Sequence, residues 1–383
     1  MIYFDNPATT FPKPQCLSEE ISKCIKSYCG NPGRSSHSMS LKSAEKIYEA
    51  RALLAELLGA EPERVIFTYN TTYAINIAIK SFLKPHSHVL ISDIEHNAVV
   101  RPVSSLSRKN LCSYSFFNTD GNDENIINSI LSSLTEDTSM LICTHVSNVG
   151  SRRLPIEKIG RLCKEKGLFF IVDAAQSAGI LEIDLGRMNI DALCLPAHKG
   201  LYGPQGLGML ILGDDRLGDT FAEGGTGINS LESEMPDFLP ERYEAGTMST
   251  PLISGLSESL KWLKSVDINK IRAHEESLYT TACDLLEANE NITLYKMNPY
   301  PGNTLMFNIK GASSAWVAKE LDKREICVRS GFHCSPLAHK KLSTGASGAV
   351  RIGFSAFNTK KEIYSFCDAL CDIIKGKEKM PII

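Results

Sequence analysis

Asp173 and Lys199 each follow an apolar run. Leu168, Phe169, Phe170, Ile171 and Val172 lead into Asp173; Ala192, Leu193, Cys194 and Leu195 lead through Pro196 and Ala197 into His198, Lys199 and Gly200. Runs of this length and composition predict buried strands. A carboxylate and an ammonium at the ends of neighbouring buried strands are costly unless each has a partner. An aldehyde cofactor with a basic ring nitrogen partners both. Pyridoxal phosphate (PLP) takes a lysine amine at its aldehyde and a carboxylate at its pyridinium nitrogen.

Other polar residues also follow strand-like runs. His96 and Asn97 come after residues 88–92, and Asn148 after residues 141–146. In an open α/β sheet, ligands bind at the carboxyl ends of the strands. Each residue alone also suits a loop side chain satisfied locally; four strand ends together point to one site. Tyr69, Asn70, Thr71 and Thr72 precede a helical pattern. Hydroxyls and N–H groups there make a phosphate cradle, or simply cap the helix. Arg351 lies inside the apolar run Val350, Ile352, Phe354. It needs an anion, which is either a bound carboxylate or an acidic side chain. Cys334 sits among Arg329, Gly331, His333 and Pro336. That polar context predicts an exposed loop, and neighbouring positive charge favours a thiolate.

The elements that carry these residues alternate. Residues 65–68, 88–92, 113–117, 140–144, 168–173, 192–195 and 208–212 read as strands. Residues 41–58, 72–83, 98–108, 124–134 and 156–166 read as helices, the first ending at Gly59. Such alternation predicts a mostly parallel sheet covered on both faces. After residue 250 the rhythm changes. Helices are expected at 252–266, 268–289, 313–324 and 360–375, and strands at 304–309, 326–329 and 350–354. Residues 223–250 read as a long loop, which in a compact enzyme is more often functional than idle.

With 383 residues, two domains are expected. Hydrophobic content of 43%, charged content of 22% and a formal charge of −3 describe a globular chain with no electrostatic call on nucleic acid or anionic membrane. No apolar run approaches the ~20 residues of a membrane helix. Residues 1–6 lack a basic segment ahead of an apolar one, so no secretory leader is expected. The 12 cysteines include no C-x-x-C pair. Free thiols in a reducing cytoplasm are expected, and no metal site.

The chain resembles the cysteine desulfurases of the class V aminotransferase family, in the short-loop branch that includes selenocysteine lyases. The resemblance runs through nine ordered motifs. They begin with Tyr3 to Thr10, then Asn31 to Arg34. Phe67 to Thr72, Glu95 to Asn97, Val146 to Asn148, Val172 to Gln176 and His198 to Pro204 follow. Glu244 to Thr247 and the Cys334 loop complete the set. It implies a fold type I PLP-dependent transferase: α/β, with a large domain built on a mostly parallel seven-stranded sheet sandwiched by helices, and a smaller α+β domain. The large domain is expected at 15–250, and the small one at 1–14 with 251–383. It also implies roles. Lys199 holds PLP and shuttles a proton, Asp173 keeps the pyridine nitrogen protonated, and Gln176 meets the ring oxygen. His96 covers the ring and serves as acid or base. Thr71, Thr72 and His198 bind the phosphate, with Thr247 from the second subunit of a homodimer. Asn148 and Arg351, with Arg329 and Asn31, hold the substrate carboxylate. Cys334 takes the sulfur of L-cysteine as a persulfide and passes it to an acceptor protein, as in iron–sulfur cluster assembly; the other product is L-alanine. A selenocysteine lyase, or an aminotransferase or epimerase with Cys334 incidental, is the alternative. Two positions depart from the family pattern. Pro196 stands where a phosphate-binding Ser or Thr is usual, with Thr226 as a candidate replacement. Phe332 stands where a second histidine is common.

Overall fold

The computed structural model describes residues 1–33, 36–297 and 302–378. Seven strands form the central sheet. Their spatial order is Val65–Thr68, Gly208–Leu212, Ala192–Pro196, Phe169–Asp173, Thr138–Thr144, Ser87–Ser92, Cys112–Phe117. The last five run parallel, and Gly208–Leu212 runs against both of its neighbours. The seven expected strands are all present.

Burial on both faces explains the unbroken apolar runs. Phe170 and Val172 enter one hydrophobic cluster, while Ile171 between them enters the cluster on the opposite face. Helices Ser38–Leu58, Thr71–Phe82, Asn97–Arg108, Asp123–Ser133 and Ile156–Lys166 cover the sheet. Several start one or more residues before the sequence pattern suggests. Apolar periodicity misses the capped first turn, where Asn70, His96 and Asn122 accept from backbone N–H groups.

A second sheet has four strands, ordered Arg329–Gly331, Ala349–Gly353, Thr304–Ile309, Ile292–Tyr295, all antiparallel. It packs with Ile268–Glu287, Ser314–Asp322 and Lys360–Glu378 around a separate cluster that includes Phe4, Phe307, Phe354 and Phe366. The strand expected at 326–329 is two strands. Ile326–Cys327 pairs in parallel with Ile2–Tyr3, and Arg329–Gly331 turns into the four-stranded sheet. Helix Thr250–Val266 contributes Ile253, Leu256, Leu260 and Leu263 to the cluster under the large sheet. Two helices had no reading in the sequence: Gln15–Ser27, which packs against Thr250–Val266, and the short Pro336–Lys341.

Candidate active site

A half-open cavity of about 220 Å³ lies at the carboxyl ends of the parallel strands. Its wall includes Thr71, Thr72, His96, Asn148, Asp173, Gln176, His198, Lys199, Arg329, Cys334 and Arg351. Eleven of the thirteen residues expected at a site therefore meet in one place. Asn31 and Thr247 are exposed and do not line it. Arg34, part of the motif with Asn31, lies outside the described residues.

Asp173 closes its strand and is buried. Burial raises its pKa; the Ala175 N–H at 2.9 Å and the nearby Lys199 oppose that. Burial pushes Lys199 down to about 8, aided by Arg351 and Arg329 and resisted by Asp173. The Lys199 segment is tied down by the N-terminal strand-loop. Thr10 Oγ1 donates to the Lys199 carbonyl at 3.1 Å, and Lys13 Nζ donates to the His198 carbonyl at 2.7 Å. Gly200 is required by close approach: a Cβ there would sit 2.3 Å from the Ala178 carbonyl oxygen.

Asn70 spends its side chain on the Tyr73 N–H at 2.9 Å. The N–H groups of Thr71 and Thr72 open the helix and find no backbone acceptor among the described residues. Gly208 passes beneath this turn; a Cβ would lie 2.4 Å from the Asn70 carbonyl carbon. His198 Nδ1 is buried with no partner. Pro196 pairs with Gly208 in the sheet and offers no hydroxyl. Thr226 does not replace it: its hydroxyl bonds the Ile228 carbonyl at 3.4 Å, away from the cavity.

His96 caps helix Asn97–Arg108, accepting from Ala98 N at 3.0 Å through Nδ1. Burial, then the charges of Lys199 and Arg351, push its pKa down to about 4. The ring is neutral at pH 7 with its proton on Nε2, so it meets the cavity as a donor.

Cys334 is exposed, while His333 and Ser335 beside it are buried. Asn148 grips both flanks: its Nδ2 donates to the His333 carbonyl at 2.8 Å, and its Oδ1 accepts from Ser335 Oγ at 2.7 Å. The Asn97 N–H holds the Cys334 carbonyl at 2.8 Å. His333 and Cys334 both adopt positive φ, 50° and 57°. Non-glycine residues in that region are held by their surroundings. Arg351 is buried and reaches Asp5 at 3.1 Å, so its acidic partner is present, yet its Nε remains unpaired. Asp5, Lys13 and His339 had no assigned role in the sequence: Asp5 and Lys13 find partners far along the chain, and His339 meets His333 only once Pro336–Lys341 folds as a helix.

A family model for "Aminotransferase class-V" matches residues 2–366. The chain belongs to that family. A probable cysteine desulfurase of Pyrococcus abyssi is 30% identical, over 98% of this chain and 95% of its own. One from Methanothermobacter thermautotrophicus is 30% identical over 97% and 94%. Among solved structures, the apo cysteine desulfurase of Thermococcus onnurineus superposes with a TM-score of 0.90 at 28% identity, covering 98% of this chain and 95% of that one. The Escherichia coli cysteine desulfurase CsdA gives 0.86 at 23%, a likeness of fold.

The family implies PLP. The residues present fit it. A buried carboxylate and a lysine of lowered pKa face one cavity. The free N–H groups of a helix N-terminus and the orphaned His198 Nδ1 stand ready for a phosphate.

Proposed function

We propose that this protein is a PLP-dependent cysteine desulfurase. It converts L-cysteine to L-alanine and leaves the sulfur as a persulfide on Cys334. The observation that carries this reading is the placement of Cys334 on the cavity wall that also holds Lys199 and Asp173. The last two specify the cofactor; only the first specifies sulfur.

Bound there, PLP supplies an electron sink that labilises bonds at the substrate α- and β-carbons. Lys199 holds the cofactor through Nζ and moves a proton at the same atom. The Asp173 carboxylate keeps a proton on the ring nitrogen. The Thr71 and Thr72 N–H groups and His198 would bind the phosphate, and Gln176, whose Nε2 is already held by the Pro7 carbonyl at 2.9 Å, would meet the ring. His96 would meet the bound cofactor and donate from Nε2. Arg351 and Arg329 bring positive charge to the substrate carboxylate. Asn148 holds the Cys334 loop in reach. The Cys334 sulfur attacks the substrate sulfur. The substrate carbon–sulfur bond breaks, a sulfur–sulfur bond forms, and the thiol proton goes to the substrate carbon, so cysteine and one thiol become alanine and one persulfide.

One hydrophobic cluster on each face of the seven-stranded sheet and a third around the four-stranded sheet support two domains. We place the boundary after Val266 rather than after residue 250, because helix Thr250–Val266 packs with the large cluster. Asn31 and Thr247 belong to the site through a homodimer, each reaching a partner's cavity. Twelve free cysteines suit a reducing cytoplasm. Among the described residues no helix is long and apolar enough to cross a membrane. The exposed Cys334 hands its sulfur to an acceptor protein.

Replacing Cys334 by Ala tests the reading. Alanine formation from L-cysteine falls by roughly 10³-fold or more, while bound PLP is retained. An undiminished rate sinks it.

A further inference from the structure

Behind Cys334 runs a chain of three side chains that the desulfurase reading leaves unused. His333 Nδ1 is 3.0 Å from His339 Nε2, and His339 Nδ1 is 2.8 Å from Thr344 Oγ1. The two rings stack with centroids 5.2 Å apart, and Phe332 packs edge-on against His339. All three members are buried. The far end of the chain, His333 Nε2, is buried without a hydrogen-bond partner. Arg351 Nε is in the same condition. Both residues line the active cavity.

Burial and the charge of Arg351 keep both rings neutral: His333 is pushed down to about 2 and His339 to about 4. Two neutral imidazoles in contact share one proton, so their tautomers are linked. When the Thr344 hydroxyl donates to His339 Nδ1, His339 donates from Nε2 to His333 Nδ1. The remaining proton of His333 then lies on Nε2. The Arg329 carbonyl lies near this ring and favours a proton on it.

Two buried nitrogens of cavity-lining residues, each without a hydrogen-bond partner, call for a ligand that supplies one. We propose that His333 Nε2–H and Arg351 Nε–H together receive the α-carboxylate of the amino-acid substrate, with His339 and Thr344 fixing the tautomer that lets His333 donate. The proposal rests on reading the cavity as a PLP amino-acid site. Other donors are partly committed. Arg351 Nη2 is bound to Asp5, Arg351 Nη1 lies 3.4 Å from the Asn148 carbonyl, and the Asn148 amide grips the cysteine loop.

The test compares L-alanine with L-alaninamide, which lacks the charged carboxylate. Binding to PLP-loaded protein is read from the absorbance of the cofactor. His333→Asn tolerates the left-handed backbone but is too short to reach. It weakens L-alanine about tenfold or more, as expected for a lost bond to a charged group, and leaves L-alaninamide unchanged. His333→Gln, with a longer amide donor, falls between. Thr344→Val shifts L-alanine binding in the same direction by a smaller factor, and provides the readout if His333→Asn fails to fold. For L-cysteine, KM rises with little change in kcat. Equal weakening of acid and amide would mark a loop-holding role and overturn the proposal, as would unchanged L-alanine binding. The comparison involves no sulfur chemistry. A protein that binds L-alanine through His333 but makes none from cysteine would sink the desulfurase reading and keep this one.

Discussion

Lys199 carries the sharpest pH dependence in the site. Its pKa, lowered to about 8 chiefly by burial, leaves a minority of neutral amine at pH 7. Only the neutral amine attacks an aldehyde. The rate at which apoprotein takes up PLP therefore rises about tenfold per pH unit below 8 and levels above it, read as growth of cofactor absorbance. A flat profile between pH 6 and 9 contradicts this. Residue identities at the cavity were legible because Asp173, Lys199 and His96 each end a recognisable apolar run. Their hydrogen bonds were not. Asn148 reads in the sequence as a carboxylate ligand, and the structure spends its amide on His333 and Ser335. Arg351 reads as needing one anion; it has Asp5 and retains a free Nε. Contacts spanning 185 to 346 residues leave no local pattern to read.

At the scale of elements, the phosphate cradle depends on how closely one strand passes one helix. Gly208 permits it, since any Cβ would press on the Asn70 backbone. Gly208→Ala shifts the turn that presents the Thr71 and Thr72 N–H groups. It costs about 1–3 kcal/mol of stability by overpacking, and it weakens PLP retention more than Ala substitution at a surface site does. Dialysis followed by cofactor absorbance measures the second effect, and unchanged retention refutes the cradle. Strands and helices were readable to within a few residues where a continuous apolar run or a 3.6-residue period persisted. The strand expected at 326–329 failed because Val328 separates two pairings that local sequence cannot distinguish. Helix Pro336–Lys341 is only one and a half turns long, too short for a period to show. It supplies His339 to the chain behind Cys334.

At the scale of the molecule, the proposed homodimer is what would bring the exposed Thr247 and Asn31 to a cavity. The homodimer reading predicts elution at twice the 42.1 kDa chain mass. It also predicts that Thr247→Ala loosens PLP without lowering the unfolding temperature of the apoprotein. A monomer that holds PLP tightly contradicts both. The division between the seven-stranded and four-stranded sheets was legible from the change in rhythm after residue 250; our placement of the boundary after Val266 rests on packing. Helix Thr250–Val266 is amphipathic in either setting, and only its packing partners assign it. The central claim joins the scales: one loop brings one cysteine to a cofactor cavity, and that cysteine receives sulfur. The most direct measurement incubates the PLP-loaded protein with sulfur-labelled L-cysteine and locates the label by peptide mass spectrometry. The account predicts one added labelled sulfur on Cys334, formed in step with L-alanine. Alanine formed with no label on Cys334, or label spread evenly over exposed cysteines such as Cys29, would contradict it.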